Sequence, residues 1–149
     1  MIGFAVGLYF LWKRKWLRLG VWIAALAGSE ILDLLLKTWF ARPRPSFADP
    51  LAVALYYSFP SSHATMSLIT YGFLAYLCFV SLKHATLRVP VSAALILLIV
   101  VIGFSRIYLG VHYVTDVLAG FAVGGLWLSF CITAMNFLIR RRAWRQQQP

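Results

Sequence analysis

Charge is what this chain has least of. Charged residues make up 12% of its 149 positions, against roughly 25% in an ordinary soluble domain. Negative charge is scarcer still, with four Asp and Glu set against fourteen Lys and Arg, for a net charge of +10. Carboxylates this few and scattered offer no cluster to hold Mg²⁺. The two cysteines, Cys78 and Cys131, exclude a disulfide framework or a zinc spacing. Both fall in apolar runs and read as small packing residues. There is no internal repeat, low-complexity linker or second composition, so residues 1–149 read as one membrane-embedded domain. An excess of positive charge can signal nucleic acid, but these Lys and Arg residues form no single face. They sit in short clusters between apolar runs, as juxtamembrane charges do, and no nucleic-acid partner is expected.

What is present is apolar: 62% of the residues are hydrophobic and mean hydropathy is +0.81. Four runs approach the ~20 residues a spanning helix needs: Gly20–Leu36, Ala64–Leu82, Val89–Phe104 and Val117–Ile139. The expected fold is therefore an all-α integral membrane helix bundle. A fifth run, Met1–Trp12, is too short to span alone. It reads as the remnant of a longer helix or as a segment packed on the others. Positive charge follows this run rather than preceding it, unlike a cleavable signal peptide. Gly120, Gly124 and Gly125 offer a small-residue face for close helix packing, and the final "RRRAWRQQQP" reads as a frayed, solvated end.

Alternation of the runs sorts the charges. Lys13, Arg14, Lys15 and Arg18, then Lys83 and Arg88, then Arg140, Arg141, Arg142 and Arg145 fall on one side, ten of the fourteen Lys and Arg. The positive-inside rule makes that side cytoplasmic. Lys37, Arg42, Arg44 and Arg106 fall on the other side, where topology alone disfavours them, and all the candidate chemistry lies with them.

Three segments carry that chemistry. In "KTWFARPRP", Lys37 ends a helix and Arg44 follows seven residues later, on a loop stiffened by prolines. A guanidinium fork beside an ammonium suits a tetrahedral oxyanion, although lipid-headgroup anchoring would use the same residues. Arg42 is expected only to contact headgroups. In "FPSSHA", Pro60 and a Ser61 or Ser62 N-cap begin a helix whose free N–H groups favour an anion, with His63 in its first turn. A plain capped helix would look alike. In "SRIYLGVHYVTD", His112 and Asp116 are four apart and are expected on one helix face, the carboxylate fixing the imidazole tautomer and leaving the other ring nitrogen to attack. Arg106 adds a cation. A pair that merely satisfies two buried polar groups is the plainer alternative, yet ionisable residues within a membrane span usually mark function. Glu30, Asp33 and Lys37 share a helical face, so that Asp33 is placed to hold Lys37. Pro50–Phe59 is apolar but short, and reads as an interfacial loop beside which a lipid could enter.

In order, K-x6-RP, PS-x-H and SR-x5-H-x3-D resemble the three signature motifs of the type 2 phosphatidic acid phosphatase (PAP2) family, in its membrane lipid phosphatase branch. That family also resembles vanadium haloperoxidases and glucose-6-phosphatase. The resemblance runs from Lys37 to Asp116 and implies a haloperoxidase-like helical core. It further implies a metal- and cofactor-independent hydrolase acting on a lipid phosphomonoester or pyrophosphate. His112 would be the nucleophile, Asp116 its orienting partner and His63 the general acid. Lys37, Arg44, Ser61, the Ser62 N–H and Arg106 would bind phosphate oxygens. Candidate substrates are phosphatidic acid, phosphatidylglycerol phosphate and undecaprenyl pyrophosphate, taken at the extracytoplasmic face of a bacterial plasma membrane. A non-catalytic lipid-phosphate binder and a lipid phosphotransferase are the alternatives. The sequence departs from the family at Ser62, where Gly usually precedes the histidine. It departs also in having four clear spans and a short fifth against the family's usual six, so an N-terminal helix is expected to be missing.

Overall fold

The structure, a computed structural model, describes residues 2–46 and 56–146. Its regular structure is helical throughout: α1 (Ile2–Trp12), α2 (Trp16–Phe40), α3 (Ser62–Ser81), α4 (Ala85–Tyr108) and α5 (Val114–Gln146). The last four are long and apolar enough to cross a membrane. α2, α4 and α5 each contain one expected run and extend beyond it at both ends; α3 starts two residues before its run and stops at Ser81, one residue short of the expected Leu82. The extensions matter, because they carry Lys37, Arg106 and Asp116 on the ends of rigid elements. At about 1.5 Å per residue the 33 residues of α5 reach about 50 Å, well past a hydrocarbon core of about 30 Å. The expectation of a frayed "RRRAWRQQQP" tail is thus corrected as far as Gln146: Arg, Ala and Gln favour the helix and continue it into solvent. Residues 147–149 lie outside the described residues, as do 50–55 of the expected interfacial loop.

α3 lies at the centre and packs against α2, α4 and α5. Much of the bundle's outer surface is apolar, with Ile31, Leu34, Leu97, Val101, Leu126 and Phe130 all exposed, as lipid-facing helices require. The core gathers Phe10, Trp22, Phe73, Leu128 and Met135 from four helices. Short α1 is therefore a packed segment: Phe10 is buried, and Trp22 Nε1 donates to the Gly3 carbonyl at 2.9 Å. Cys131 belongs to the core, whereas Cys78 is only half-buried.

Small residues set how closely α5 meets α3. A Cβ on Gly120 would stand 2.7 Å from the Ser61 carbonyl oxygen, and one on Gly124 would stand 3.0 Å from that of Thr65. Gly125 differs from the expectation. A Cβ there would meet nothing within 4 Å, because one residue further turns it about 100° away from the contact.

Candidate active site

The C-terminal ends of α2 and α4 and the N-terminal ends of α3 and α5 meet at one end of the bundle. There they enclose a cavity of about 1000 Å³, bordered by Lys37, Arg44, Ser62, His63, Arg106 and His112. All three sequence segments thus converge, though two spans, α3 and α4, separate the third from the first two.

Lys37 occupies the last turn of α2. Its Nζ donates to Asp33 Oδ1 at 3.1 Å and to the Pro60 carbonyl at 2.6 Å, so Asp33 does hold it. Asp33 Oδ2 accepts the Ser62 hydroxyl at 2.8 Å. The serine that replaces the family's usual glycine therefore ties α3 to α2. Ser62 is not among the residues with positive φ, so its backbone needs no glycine. Glu30 lines the same cavity deeper in the span.

Beyond α2 the chain reverses at Ala41, whose φ is 42° and whose N–H closes the helix on the Lys37 carbonyl. Arg44 then reaches across the site. Its guanidinium donates to the carbonyls of Tyr56 at 2.9 Å and Val111 at 2.8 Å, and its Nη1 stands 3.3 Å from His112 Nε2. A guanidinium only donates, so this contact places a lone pair on Nε2 and the proton on Nδ1. Burial lowers the Arg44 pKa from its usual value, with Asp116 acting in the opposite sense.

His112 corrects one expectation. It does not share a helix face with Asp116: α4 ends at Tyr108, Gly110 turns the chain at φ 70°, and His112 lies in the loop before α5. Asp116 stands in the first turn of α5 and reaches back to accept the Tyr113 N–H at 3.0 Å, which is half of a capping box. The two side chains still meet, with Nδ1 3.6 Å from Asp116 Oδ2, longer than a hydrogen bond. Nδ1 faces the Ser58 backbone and this carboxylate without closing a full bond to either. Burial foremost, then Arg44 and more weakly Lys37, push the His112 pKa down to about 4, against the opposing Ser58 backbone and Asp116. The imidazole is neutral at physiological pH.

Asp116 is wholly buried, and its principal partners are residues that motif spacing did not mark. Arg42 Nη1 donates to Oδ1 at 2.7 Å and to Thr115 Oγ1 at 2.7 Å, with its guanidinium 4.1 Å from the centre of the Tyr113 ring. The Ser58 hydroxyl donates to Oδ2. Arg42 is thus corrected from a headgroup contact to the counter-charge of Asp116. A surplus cation on the disfavoured side was the one sequence signal for it.

Ser61 also departs from expectation. It is the N-cap of α3, yet its hydroxyl caps nothing. It is fully buried behind the cavity wall, and its N–H donates to the Asp116 carbonyl at 3.0 Å. His63, in the first turn of α3, does line the cavity. So does Arg106, whose Nε donates to Ser105 Oγ at 3.1 Å.

The four apolar spans make the chain an integral membrane protein, with cations and two histidines gathered around a cavity at one end. The chain belongs to the PAP2 superfamily, whose pattern matches residues 16–140. It is similar to phosphatidylglycerophosphatase B of Bacillus subtilis, at 38% identity over 137 residues, covering 89% of this chain and 64% of that protein. It is also similar to the lipid A 1-phosphatase of Rhizobium etli, at 33% identity over 142 residues, covering 89% of this chain and 54% of that protein. Among solved structures it resembles the transmembrane PAP2 type phosphatidylglycerolphosphate phosphatase from Bacillus subtilis. The TM-score is 0.75 at 33% identity, over 89% of this chain and 64% of that one. The chain thus spans less than two thirds of the length of these relatives.

Proposed function

We propose that the chain is a lipid phosphatase that hydrolyses a phosphomonoester or pyrophosphate through a phosphohistidine. The observation that carries this reading is His112: neutral, with its Nε2 lone pair beside Arg44 and a buried carboxylate behind its Nδ1–H. A site that only bound phosphate would need the cations and not this arrangement.

Lys37, Arg44, Arg106 and the Ser62 N–H hold the phosphate oxygens, neutralising charge that grows in the transition state. As phosphate enters, Arg44 turns its donor from Nε2 to a phosphate oxygen and frees the lone pair. Nε2 attacks phosphorus, the bond to the leaving oxygen breaks, and that oxygen takes its proton from His63. The imidazolium-like phosphohistidine is stabilised by Asp116. Neutral His63 then removes a proton from water, whose oxygen displaces Nε2. Inorganic phosphate leaves, and both histidines return to their starting states. Ser61, behind the wall, acts through its N–H on the Asp116 carbonyl.

Ile31 and Leu34 of α2 and Tyr56 and Tyr57 line the cavity beside its polar groups, which suits a substrate arriving from the bilayer. Phosphatidylglycerol phosphate and lipid A phosphate, named by the relatives, are both lipids of this kind. We place the cavity on the extracytoplasmic face of a bacterial plasma membrane, because the ten Lys and Arg of the other end obey the positive-inside rule.

The test is phosphate release from a panel of lipid phosphates in detergent, for the native chain and His112→Ala. Release that falls at least ~10³-fold in the variant is expected, the scale for loss of a nucleophile. Lipid binding without release by either protein would mark a binder. Transfer of phosphate to an added alcohol in place of water would mark a phosphotransferase.

A further inference from the structure

At the end of the bundle opposite the cavity stand ten of the fourteen Lys and Arg residues. No carboxylate accompanies them among the described residues. Glu30 and Asp33 line the active-site cavity, and Asp116 is buried beside it; the fourth acid, Asp49, lies outside the described residues. Arg14 and Lys15 from the α1–α2 turn, Arg18 from the first turn of α2 and Arg142 from the last turns of α5 line one cavity of about 410 Å³. Lys15 and Arg18 also line a second, of about 460 Å³, whose further walls are chiefly apolar: Val6 and Tyr9 of α1, and Leu74, Leu77 and Cys78 of α3.

Four cations drawn from two distant stretches of chain repel one another. No ion pair among the described residues relieves them. Water and small ions screen charge in an open basin. They do not fill an apolar cleft, whose wetting is unfavourable. A molecule with an anionic head joined to a hydrocarbon chain satisfies both halves. The remaining basic residues of this end do not border the pair of cavities. Lys13, Lys83, Arg88, Arg140, Arg141 and Arg145 line neither; Lys13 lies 4.2 Å over the Trp12 ring and Arg88 4.9 Å over the Phe79 ring. The convergence is a property of four positions and not of the whole basic end.

We propose that the two neighbouring cavities, which share Lys15 and Arg18, bind one anionic phospholipid of the leaflet opposite the active site, its phosphate among Arg14, Lys15, Arg18 and Arg142 and an acyl chain between α1 and α3. This lipid is held and not turned over, so the proposal stands apart from the phosphatase reading. Its consequence is mechanical: the acyl chain fills the seam along which short α1 meets α3.

The test is native mass spectrometry of the full chain in detergent, titrated with phosphatidylglycerol or with phosphatidylcholine of the same chain length. One phosphatidylglycerol retained in preference to phosphatidylcholine is expected. The variant Lys15→Gln/Arg18→Gln should bind it about thirtyfold more weakly, the scale for two charges at a membrane surface. Lys83→Gln/Arg88→Gln, which removes equal charge from the same end, should bind it as the native chain does. Equal weakening in both variants would overturn the proposal in favour of a diffuse basic surface. The cleft is read separately in the native chain, without any substitution, by alkylation of Cys78. Phosphatidylglycerol should slow it and phosphatidylcholine should not, with buried Cys131 as internal reference. Phosphatidylglycerol that binds and leaves Cys78 equally reactive would overturn the acyl-chain half and with it the shared site.

Discussion

At the scale of the residue, the chemistry turns on one buried carboxylate and what neutralises it. Asp116 accepts from Arg42, Ser58 and the Tyr113 N–H and stands 3.6 Å from His112. Asp116 draws the imidazole pKa up, but burial foremost and then Arg44 outweigh it, and His112 stays depressed at about 4. The sign follows directly. A histidine with a lowered pKa keeps its lone pair until pH falls towards that value, so the acid limb of kcat/KM assigned to His112 should lie well below the ordinary 6.5. Arg42→Gln removes the counter-charge, frees Asp116 to stabilise the imidazolium, and should move that limb upward by about one pH unit or more. A pH–rate profile checks this; reduced activity with an unmoved limb would reduce Arg42 to a structural prop. For His63 the measurement is a comparison of leaving groups. His63→Ala should slow hydrolysis of natural lipid phosphates about 10²–10⁴-fold and aryl phosphates far less, since a good leaving group needs no proton. Equal losses on both substrates would remove the general-acid role.

At the scale of the element, α5 does two jobs from its first three turns. Asp116 starts the helix and reaches the loop that carries His112, and Gly120 one turn later lets the helix press against the beginning of α3. Contact with the Ser61 carbonyl oxygen is contact with backbone, which yields little. Gly120→Val should therefore cost about 1–3 kcal/mol by overpacking and lower phosphate release as well, because Ser61 N–H holds the Asp116 carbonyl. Gly125→Val, facing open space, should leave both thermal stability and release near native. Melting temperatures and rates for the pair test the argument, and similar losses in the two variants would contradict it.

At the scale of the whole molecule, the bundle puts the cations proposed to bind phosphate at one end and the cluster of ten further Lys and Arg at the other. In the proposed mechanism the phosphate-binding charge comes from Lys37, Arg44 and Arg106, so release should persist in EDTA. Orthovanadate, which mimics the trigonal transition state, should inhibit. Strict dependence on added Mg²⁺, read from the same phosphate assay, would defeat a mechanism based on protein cations.

The sequence by itself determined the membrane class, the spans and the three motifs. Long apolar runs, and charges placed where topology disfavours them, are local properties of the chain. It placed Lys37, Arg44, His63, Arg106 and His112 at one membrane face because alternating spans leave their segments nowhere else to go. The tertiary structure decided what each polar atom touches. Arg42 was legible only as an unexplained cation, because its partner Asp116 lies 74 residues away and spacing carries no information about such a pair. Ser58 was unmarked for the same reason, and Ser61, read as a phosphate ligand, proved to be enclosed. The His112–Asp116 spacing suggested a shared helix face, but the turn at Gly110 and the start of α5 at Val114 put the histidine in a loop. A helix boundary depends on caps and packing worth about a kcal/mol each, too little to read from one chain and enough to decide which atoms meet.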